Sequence, residues 1–379
     1  MLVPSESKKL PHIYWLPKLH KNPIKFRFII AAPDCSIKPL AIAVTKLFKL
    51  FYRQIENYNK KRYFYSHINS FWVIQNNEDV VNAVKRINKQ NSAKTITTFD
   101  FSTLYTKIPH KKLIEVLNEL IEFCFKGGSH ENISVTNSGA RWIARTSRKG
   151  ELFDEKLVKE ALQYLMDNCY FTFGDKLFRQ VIGIPMGSDP APFMANLFLF
   201  YYENKWISNL KKENFAKAHL FRNTFRFIDD LLTINDNEEF SKCFQEIYPP
   251  ELELNIEHSG STASFLDMRL EKQGGQFSMC LFDKRDSFPF SIVRMPYSSS
   301  NMPTRMFYSS IGAEILRISR VSSTLNNFVE ATKPLMERVI TQGADKIKLI
   351  GTVKKVYGRQ SSLRQFGTTA TDLVRSLFN

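Results

Sequence analysis

Three aspartates are the residues of this chain whose types and surroundings could carry out chemistry. Asp229 and Asp230 are adjacent within the apolar segment 225–232, and Asp100 ends the β-branched segment 95–100. Adjacent carboxylates among hydrophobic side chains suffer desolvation and mutual repulsion unless a cation neutralises them. Carboxylate oxygens suit a hard divalent cation. The pattern therefore predicts a divalent metal site typical of phosphoryl transfer, and exposed acids at a hairpin turn are the alternative.

The elements that must position these acids follow from hydrophobic periodicity and turn residues. The acid pair is expected at the tip of a hairpin, and strands and helices alternate around other antiparallel hairpins, which indicates an α+β fold of the split βαβ type. The predicted helices are 37–55, 78–88, Pro109 to Gly127, 154–168, 190–210, 238–248 and most of the chain after about 300; the predicted strands and hairpins are 11–33, 94–100, 170–182, 225–234, 252–256 and 265–282.

The charge of the chain indicates a phosphate-rich partner. The 379 residues carry a net charge of +16. Residues 1–62 hold 13 Lys and Arg against 3 acids, and residues 333–379 hold nine against three. A further basic loop is predicted at Arg141, Arg145, Arg148 and Lys149. Such stretches can contact a nucleic-acid backbone, and improved solubility is the alternative reason for them.

Several classes of protein are disfavoured by composition. The five cysteines are scattered singly without CxxC spacing, so a disulfide framework or a zinc ribbon is not expected. No apolar run is long enough to span a bilayer, and the first twenty residues lack a signal-peptide pattern. We expect a folded intracellular protein without a membrane partner.

Three segments, in this order, resemble motifs A, B and C of reverse transcriptases: 99–109 (FDFSTLYTKIP), 183–188 (GIPMGS) and 227–230 (FIDD). Three features resemble the Penelope-like retroelement branch, which is related to telomerase: the sequence of the first segment, the upstream segment 16–30 with LPKLHK and RFII, and Phe265-Leu-Asp267. The resemblance covers roughly residues 11–285.

The resemblance implies a right-hand polymerase fold, with fingers, an antiparallel split-βαβ palm and a helical thumb. The fingers are expected at 1–93. The palm is expected at 94–283, with a fingers insertion at about 111–180. A thumb-like, helical and basic region is expected at 284–379.

The resemblance also implies roles for the acids. In that family the motif A acid and the first motif C acid bind two Mg²⁺ ions, which Mn²⁺ can replace. Asp100 and Asp229 inherit these roles, Asp230 assists, and Phe101 adds its backbone carbonyl.

Nucleotide contacts are implied for the fingers hairpin and for motifs A and B. Arg27 is the first choice for holding the triphosphate, together with Lys18, Lys21 and Lys25. Tyr105 matches the aromatic residue that excludes a 2′-hydroxyl. Other expected dNTP contacts are Ser102, Gln180, Met186, which stands where many relatives have Gln, and Gly187.

The template and primer are expected at Gly183 and Pro185 of motif B and at Phe265 and Leu266 of the motif E hairpin. Relatives often have a motif D lysine as general acid, and residues 250–264 contain none. His258 is the nearest titratable alternative and Lys272 a weaker one.

The expected function is an RNA-directed DNA polymerase of a Penelope-like retroelement. Its partners would be an RNA template, a DNA primer or target DNA, and dNTPs, in the nucleus. The alternatives are a telomerase-like or intron-type reverse transcriptase, or an inactive RNA-binding remnant. Residues 286–379 do not resemble the GIY-YIG endonuclease that often follows such polymerases, so a fragment or an endonuclease-lacking member is expected; the oligomeric state stays open.

Overall fold

The computed structural model describes residues 9–19, 23–128, 130–144, 150–290 and 292–378. The elements of the first half are β1 (His12–Lys18), β2 (Lys25–Ala31), α1 (Lys38–Ser66), α2 (Glu78–Lys89), β3 (Ile96–Phe101), α3 (Leu104–Lys107), α4 (His110–Lys126), β4 (Asn132–Thr136), β5 (Gly139–Ile143), β6 (Glu151–Phe153), α5 (Glu155–Asp167), β7 (Tyr170–Phe173) and β8 (Lys176–Arg179).

The second half has one long helix, two hairpins and a helical end. Its elements are α6 (Ala191–Glu213), α7 (Phe215–Leu220), β9 (Thr224–Phe227), β10 (Asp230–Ile234), α8 (Glu239–Ile247), β11 (Leu254–Gly260), β12 (Thr262–Phe265), β13 (Met268–Gln273), β14 (Gln276–Leu281), α9 (Thr304–Val321), α10 (Leu325–Thr341), α11 (Lys346–Arg359), α12 (Ser361–Arg364) and α13 (Ala370–Phe378).

The chain divides into two compact units that interleave along the sequence. The first comprises residues 1–73, 99–231 and 238–256, and the second comprises 74–98, 232–237 and 257–379. Strands β3, β10 and β11 each begin in one unit and end in the other. The predicted fingers, palm and thumb borders at 93 and 283 do not coincide with this division and stay a prediction.

The first unit is built around helices α1, α4, α5 and α6. Apolar side chains at helical spacing on α1, including Val44, Leu47, Phe48 and Phe51, are buried in one core with those of the other three helices. Helix α1 continues to Ser66, beyond the predicted end at 55, and stops where His67 adopts a left-handed conformation with φ of 54°. Its hydrophobic stripe therefore supplies the central support of this unit.

A four-stranded sheet of order β2-β1-β7-β8 lies in the first unit. The predicted hairpins are confirmed: β1 pairs antiparallel with β2, with Leu16 opposite Arg27 and Lys18 opposite Lys25, and β7 pairs with β8. Side chains alternate between the faces of a strand, so Lys18, Lys25 and Arg27 share one face. That face carries the cations of the predicted triphosphate clamp. Lys21 lies outside the described residues.

A second sheet has the order β11-β3-β10-β9. It contains Asp100 near the end of β3 and Asp230 at the start of β10, and Asp229 lies in the turn between β9 and β10. Strands β3 and β10 are antiparallel, because the Phe101 N–H donates to the Asp229 carbonyl at 3.2 Å and the Asn235 N–H donates to the Thr95 carbonyl at 2.9 Å. The predicted antiparallel arrangement is confirmed.

The second unit combines a three-stranded sheet with the C-terminal helices. Strands β12, β13 and β14 form consecutive antiparallel hairpins. Helices α9, α10, α11 and α13 share a separate core that includes Ile311, Ile315, Phe328 and Leu349. The predicted helical character after residue 300 is confirmed. Among the helices of the described ranges, none has an apolar stretch long enough to cross a bilayer.

Two local predictions are wrong. Arg141, predicted in a basic loop, lies instead on β5 of a sheet of order β5-β4-β6, because Ile133 and Val135 of β4 alternate into the core of the first unit. The other members of that predicted loop, Arg145, Arg148 and Lys149, lie outside the described residues. The tip of the motif C hairpin is also shifted by one residue, as described next.

Candidate active site

The turn between β9 and β10 carries Asp229. Its two residues are Ile228 and Asp229, while Asp230 already begins β10, so the predicted Asp229–Asp230 tip is corrected by one position. Ile228 has a φ of 56°, a left-handed conformation that a β-branched side chain rarely adopts. The Asp229 carbonyl accepts the Phe101 N–H, which places the turn beside the end of β3 and Asp100.

The carboxylates of Asp100 and Asp229 lie close enough to repel each other. Burial raises the pKa of Asp229, and the negative charge of Asp100 raises it further. Arg27 and Lys18 act in the opposite direction and lower the pKa of Asp229. The structure therefore brings together two predicted metal ligands and two predicted triphosphate contacts within the first unit.

These two carboxylates fit a divalent cation. A desolvated pair of like charges gains from a hard cation, and carboxylate oxygens are the ligands that Mg²⁺ prefers. Within the described ranges, no three or more His, Cys, Asp or Glu side chains form a group that could hold a metal ion. The contact of Asp100 with Asp229 is the part of the expected convergence that the structure describes, and the assisting role of Asp230 stays a prediction.

Tyr105 lies in the short helix α3, half-buried against the core of the first unit. Burial raises the pKa of its phenol to about 12, and the charge of Asp229 contributes to this rise, while Arg226 and Arg27 oppose it. The phenol is therefore neutral at physiological pH. Tyr105 is near enough to Asp229 and Arg27 for both charges to act on its phenol. Its role as the sugar contact stays a prediction.

The glycines of the segment 183–188 contact protein backbone. A Cβ at Gly183, whose φ is 83°, would lie well inside 3 Å of the Tyr105 carbonyl oxygen, and one at Gly187 would lie equally close to the Ile30 carbonyl oxygen. These two glycines therefore allow the loop to approach the backbone of helix α3 and of strand β2 closely. Their contacts with the template and the nucleotide stay predictions.

Hydrogen bonds complete this connection. The Ile184 N–H donates to the Tyr105 carbonyl at 2.8 Å, and the Ile30 N–H donates to the Met186 carbonyl at 2.7 Å. The loop thus joins helix α3 at Tyr105 to the strand that carries Arg27. Pro185 is buried and Met186 is half-buried, so of these two side chains only that of Met186 is partly accessible.

Two other expected nucleotide contacts interact with the protein itself. The Gln180 side-chain amide donates to the Ile182 carbonyl at 2.9 Å. The Ser102 hydroxyl donates to Glu253 at 3.3 Å, and Glu253 is also paired with Lys107. The structure therefore adds no support for these two residues as dNTP contacts.

The remaining predicted site residues lie in the second unit. His258 is an exposed residue of β11. Phe265 is only 2% exposed, so its side chain forms core and is unavailable for the primer, which corrects that prediction. Leu266 occupies the turn between β12 and β13 with a φ of 54°, and Asp267 of the same turn accepts hydrogen bonds from Asn77 and Arg317.

A buried ion pair beneath the Asp229 turn was missed by the sequence analysis. Arg226 of β9 and Glu203 of α6 are both fully buried and are joined by two hydrogen bonds. Two signals pointed to it: an arginine between Phe225 and Phe227, and an acid within the apolar run of a long helix. Each was indistinguishable from a solvated position without knowledge of the other.

Comparisons with known proteins identify one sequence relative and several similar structures. No family model matches the chain. A telomerase reverse transcriptase from Takifugu rubripes is 25% identical over a region that covers 45% of this chain and 20% of the relative. The chain thus spans about a fifth of the length of that relative.

Solved telomerase structures are similar to the whole chain. A telomerase from Candida albicans in complex with a TWJ fragment of telomeric RNA superposes with a TM-score of 0.63 and 12% identity, covering 100% of this chain and 64% of the other. Apo telomerase from Candida tropicalis superposes with a TM-score of 0.52 and 10% identity, covering 100% of this chain and 70% of the other. The chain has the right-hand polymerase fold, as predicted.

Proposed function

We propose that this protein is an RNA-directed DNA polymerase of the telomerase-related branch of reverse transcriptases. It would transfer a nucleotidyl group from a dNTP to the 3′-hydroxyl of a primer. The observation that carries this proposal is the hydrogen bond from Phe101 to the Asp229 carbonyl, which holds the turn beside Asp100. Arg27 and Lys18 are near enough to act on the Asp229 carboxylate. Similarity to a telomerase reverse transcriptase supports the same activity.

Asp100 and Asp229 would hold the divalent cations. Two Mg²⁺ ions, or Mn²⁺ in their place, would activate the attacking hydroxyl and neutralise the leaving pyrophosphate. The chain itself supplies the carboxylates at fixed positions on β3 and on the β9–β10 turn. Asp230 and the Phe101 carbonyl remain proposed assistants.

The cationic face of the β1–β2 hairpin would hold the triphosphate. Arg27, Lys18 and Lys25 share this face, and the first two interact electrostatically with Asp229. A guanidinium can bind phosphate oxygens through two parallel hydrogen bonds, which fixes orientation as well as charge. Tyr105, near both Asp229 and Arg27, is the proposed contact of the sugar.

An RNA template and a DNA primer are the proposed partners. The excess of positive charge in residues 1–62 and 333–379 would contact their phosphates without reading the sequence of bases. We further propose a Penelope-like retroelement origin and a nuclear location, which rest on the motif wording. His258 as general acid and Leu266 as a primer contact also stay proposals.

Primer extension tests the activity directly. A DNA primer annealed to RNA is extended with dNTPs and Mg²⁺ by the purified protein and by Asp229→Ala. We expect Asp229→Ala, like chelation by EDTA, to lower the rate at least about 100-fold, the order of loss for a key electrostatic group. Asp175→Ala, at the exposed β7–β8 turn, is the matched control.

The same assay separates the alternatives. Equal extension by wild type and Asp229→Ala would refute the assignment of the carboxylates. RNA binding without any incorporation by the wild type would favour an inactive RNA-binding remnant. A DNA template copied as well as RNA would contradict the template assignment.

A further inference from the structure

Arg226 is surrounded by acceptors that satisfy its whole guanidinium. Its Nε and Nη2 donate to the two carboxylate oxygens of Glu203, Nη2 also donates to the Asn196 carbonyl at 3.2 Å, and Nη1 donates to Asn196 Oδ1 at 2.8 Å. The fifth bond runs from Nη1 to the Ile228 carbonyl at 3.0 Å. Tyr248 OH donates to Glu203 at 2.9 Å and completes the cluster. No donor of this buried cation is left without an acceptor.

The fifth bond acts on the turn that presents Asp229. Ile228 holds a left-handed conformation that disfavours its branched side chain, so the turn needs support from its surroundings. Arg226 holds it through the Ile228 carbonyl, and the Phe101 N–H holds the next carbonyl, that of Asp229. The turn is therefore fixed by two consecutive carbonyls, one bonded to Arg226 and one to β3.

Helix α6 connects the Arg226 cluster to the segment 183–188. Asn196 and Glu203 both lie on α6, which begins at Ala191, three residues after the segment 183–188. The guanidinium thus joins the helix that follows the loop to the turn that carries a proposed metal ligand.

Stability alone is a poor reason for this cluster. Burial lowers the pKa of Arg226, and the charge and hydrogen bonds of Glu203 raise it by more, so the guanidinium stays charged in the core. Buried ion pairs are often no more stabilising than apolar residues of similar volume. A positioning role explains why one guanidinium bonds both to helix α6 and to the β9–β10 turn.

We propose that Arg226 is a positioning residue which, held by Glu203 and Asn196, fixes the Ile228–Asp229 turn so that Asp229 stays beside Asp100. This inference rests on the proposed function of those two acids. It predicts that the guanidinium sets the affinity for the cation and the rate of the chemical step, with little effect on nucleotide binding.

The test uses two variants and one control. Arg226→Lys keeps the charge but loses the fork that reaches Glu203 and Ile228 together. The pair Arg226→Met with Glu203→Leu removes both charges and keeps an apolar core. Phe221→Leu is the control, because Phe221 is fully buried in the same core and its ring contacts are with Trp72, Trp206 and Phe240, away from the turn.

Mn²⁺ binding by electron paramagnetic resonance is the first readout, with Asp229→Ala as the baseline. We expect both variants to bind Mn²⁺ about 10- to 100-fold more weakly, as is usual when a group supporting a ligand is lost. In primer extension, kcat should fall by a similar factor while KM for dNTP stays within about threefold. Phe221→Leu should lower the melting temperature and leave both readouts unchanged.

The outcomes are decisive in each direction. Wild-type Mn²⁺ affinity in the apolar pair, an equal effect of Phe221→Leu, or failure of both variants to fold would each overturn the positioning role. If the wild type binds Mn²⁺ through Asp229 but extends no primer, the proposed function fails while the Mn²⁺ affinities of the variants still decide this inference.

Discussion

At the scale of single residues, the pKa of Asp229 is set by the groups around its carboxylate. Burial and Asp100 raise its pKa, and Arg27 and Lys18 lower it. An acid in such a position favours a bound cation, because a cation relieves both desolvation and repulsion. The same environment includes the neutral phenol of Tyr105, whose pKa is about 12. A neutral ring can act on the nucleotide by shape.

Sugar selection should therefore depend on the ring of Tyr105 and not on its hydroxyl. We expect Tyr105→Ala to increase the use of ribonucleotides relative to deoxyribonucleotides by about 10- to 100-fold, since relief of a small steric clash is worth that much. Tyr105→Phe keeps the ring and should discriminate like the wild type. Single-nucleotide incorporation with dNTP and rNTP measures the ratio, and an unchanged ratio in the alanine variant would exclude the role.

At the scale of elements, the segment 183–188 is a structural connector. It joins the α3 turn at Tyr105 to strand β2 at Ile30 by hydrogen bonds, and helix α6 follows it. Its glycines are required because two backbone segments of the protein approach them too closely for a Cβ. Under the proposed function, the half-buried Met186 would make the side-chain contact between this loop and the nucleotide.

Glycine substitutions test this view by their effect on stability. Gly183 and Gly174 both have positive φ, of 83° and 62°, but a Cβ at Gly174 would meet nothing within 4 Å. Gly174→Ala should therefore cost only the backbone strain, about 1 kcal/mol. Gly183→Ala should cost at least about 2 kcal/mol more, because the Tyr105 backbone must move. Urea unfolding measures both free energies of unfolding. Equal losses would show that the close contact between Gly183 and the Tyr105 backbone adds no cost.

At the scale of the whole molecule, the positive charge is concentrated in two stretches of the sequence. Lys354 and Lys355 are exposed residues of α11 within the basic stretch 333–379. If this stretch contacts phosphates, binding releases counterions and the affinity falls with salt. If it serves solubility, the charges are interchangeable with any other exposed lysine.

Salt titration of nucleic-acid binding separates these two possibilities. We expect the affinity for an RNA–DNA duplex to fall at least about 100-fold between 50 and 200 mM salt. Lys354→Gln with Lys355→Gln should reduce the slope of log affinity against log salt by about 1 to 2. Lys156→Gln, an exposed lysine of α5 outside both basic stretches, is the control. Identical slopes for all three proteins would assign these lysines to solubility.

The sequence by itself determined most of the local elements and identified Asp100 and Asp229 as the candidate acids. Alternation predicted the β1–β2 hairpin, helical spacing predicted α4, and Gly174-Asp175 predicted the turn between β7 and β8, because these patterns depend on residues a few positions apart. Motif order also indicated the polymerase fold.

Only the tertiary structure decided which groups surround the acids. Arg226 looks like any strand cation until Glu203, 23 residues earlier, is packed against it, and Gly183 looks like a ligand-binding glycine until the Tyr105 carbonyl is placed beside it. Phe265 likewise looked available for a primer and is buried. Burial and pairing between distant segments depend on how helices and strands pack, and no local pattern records them.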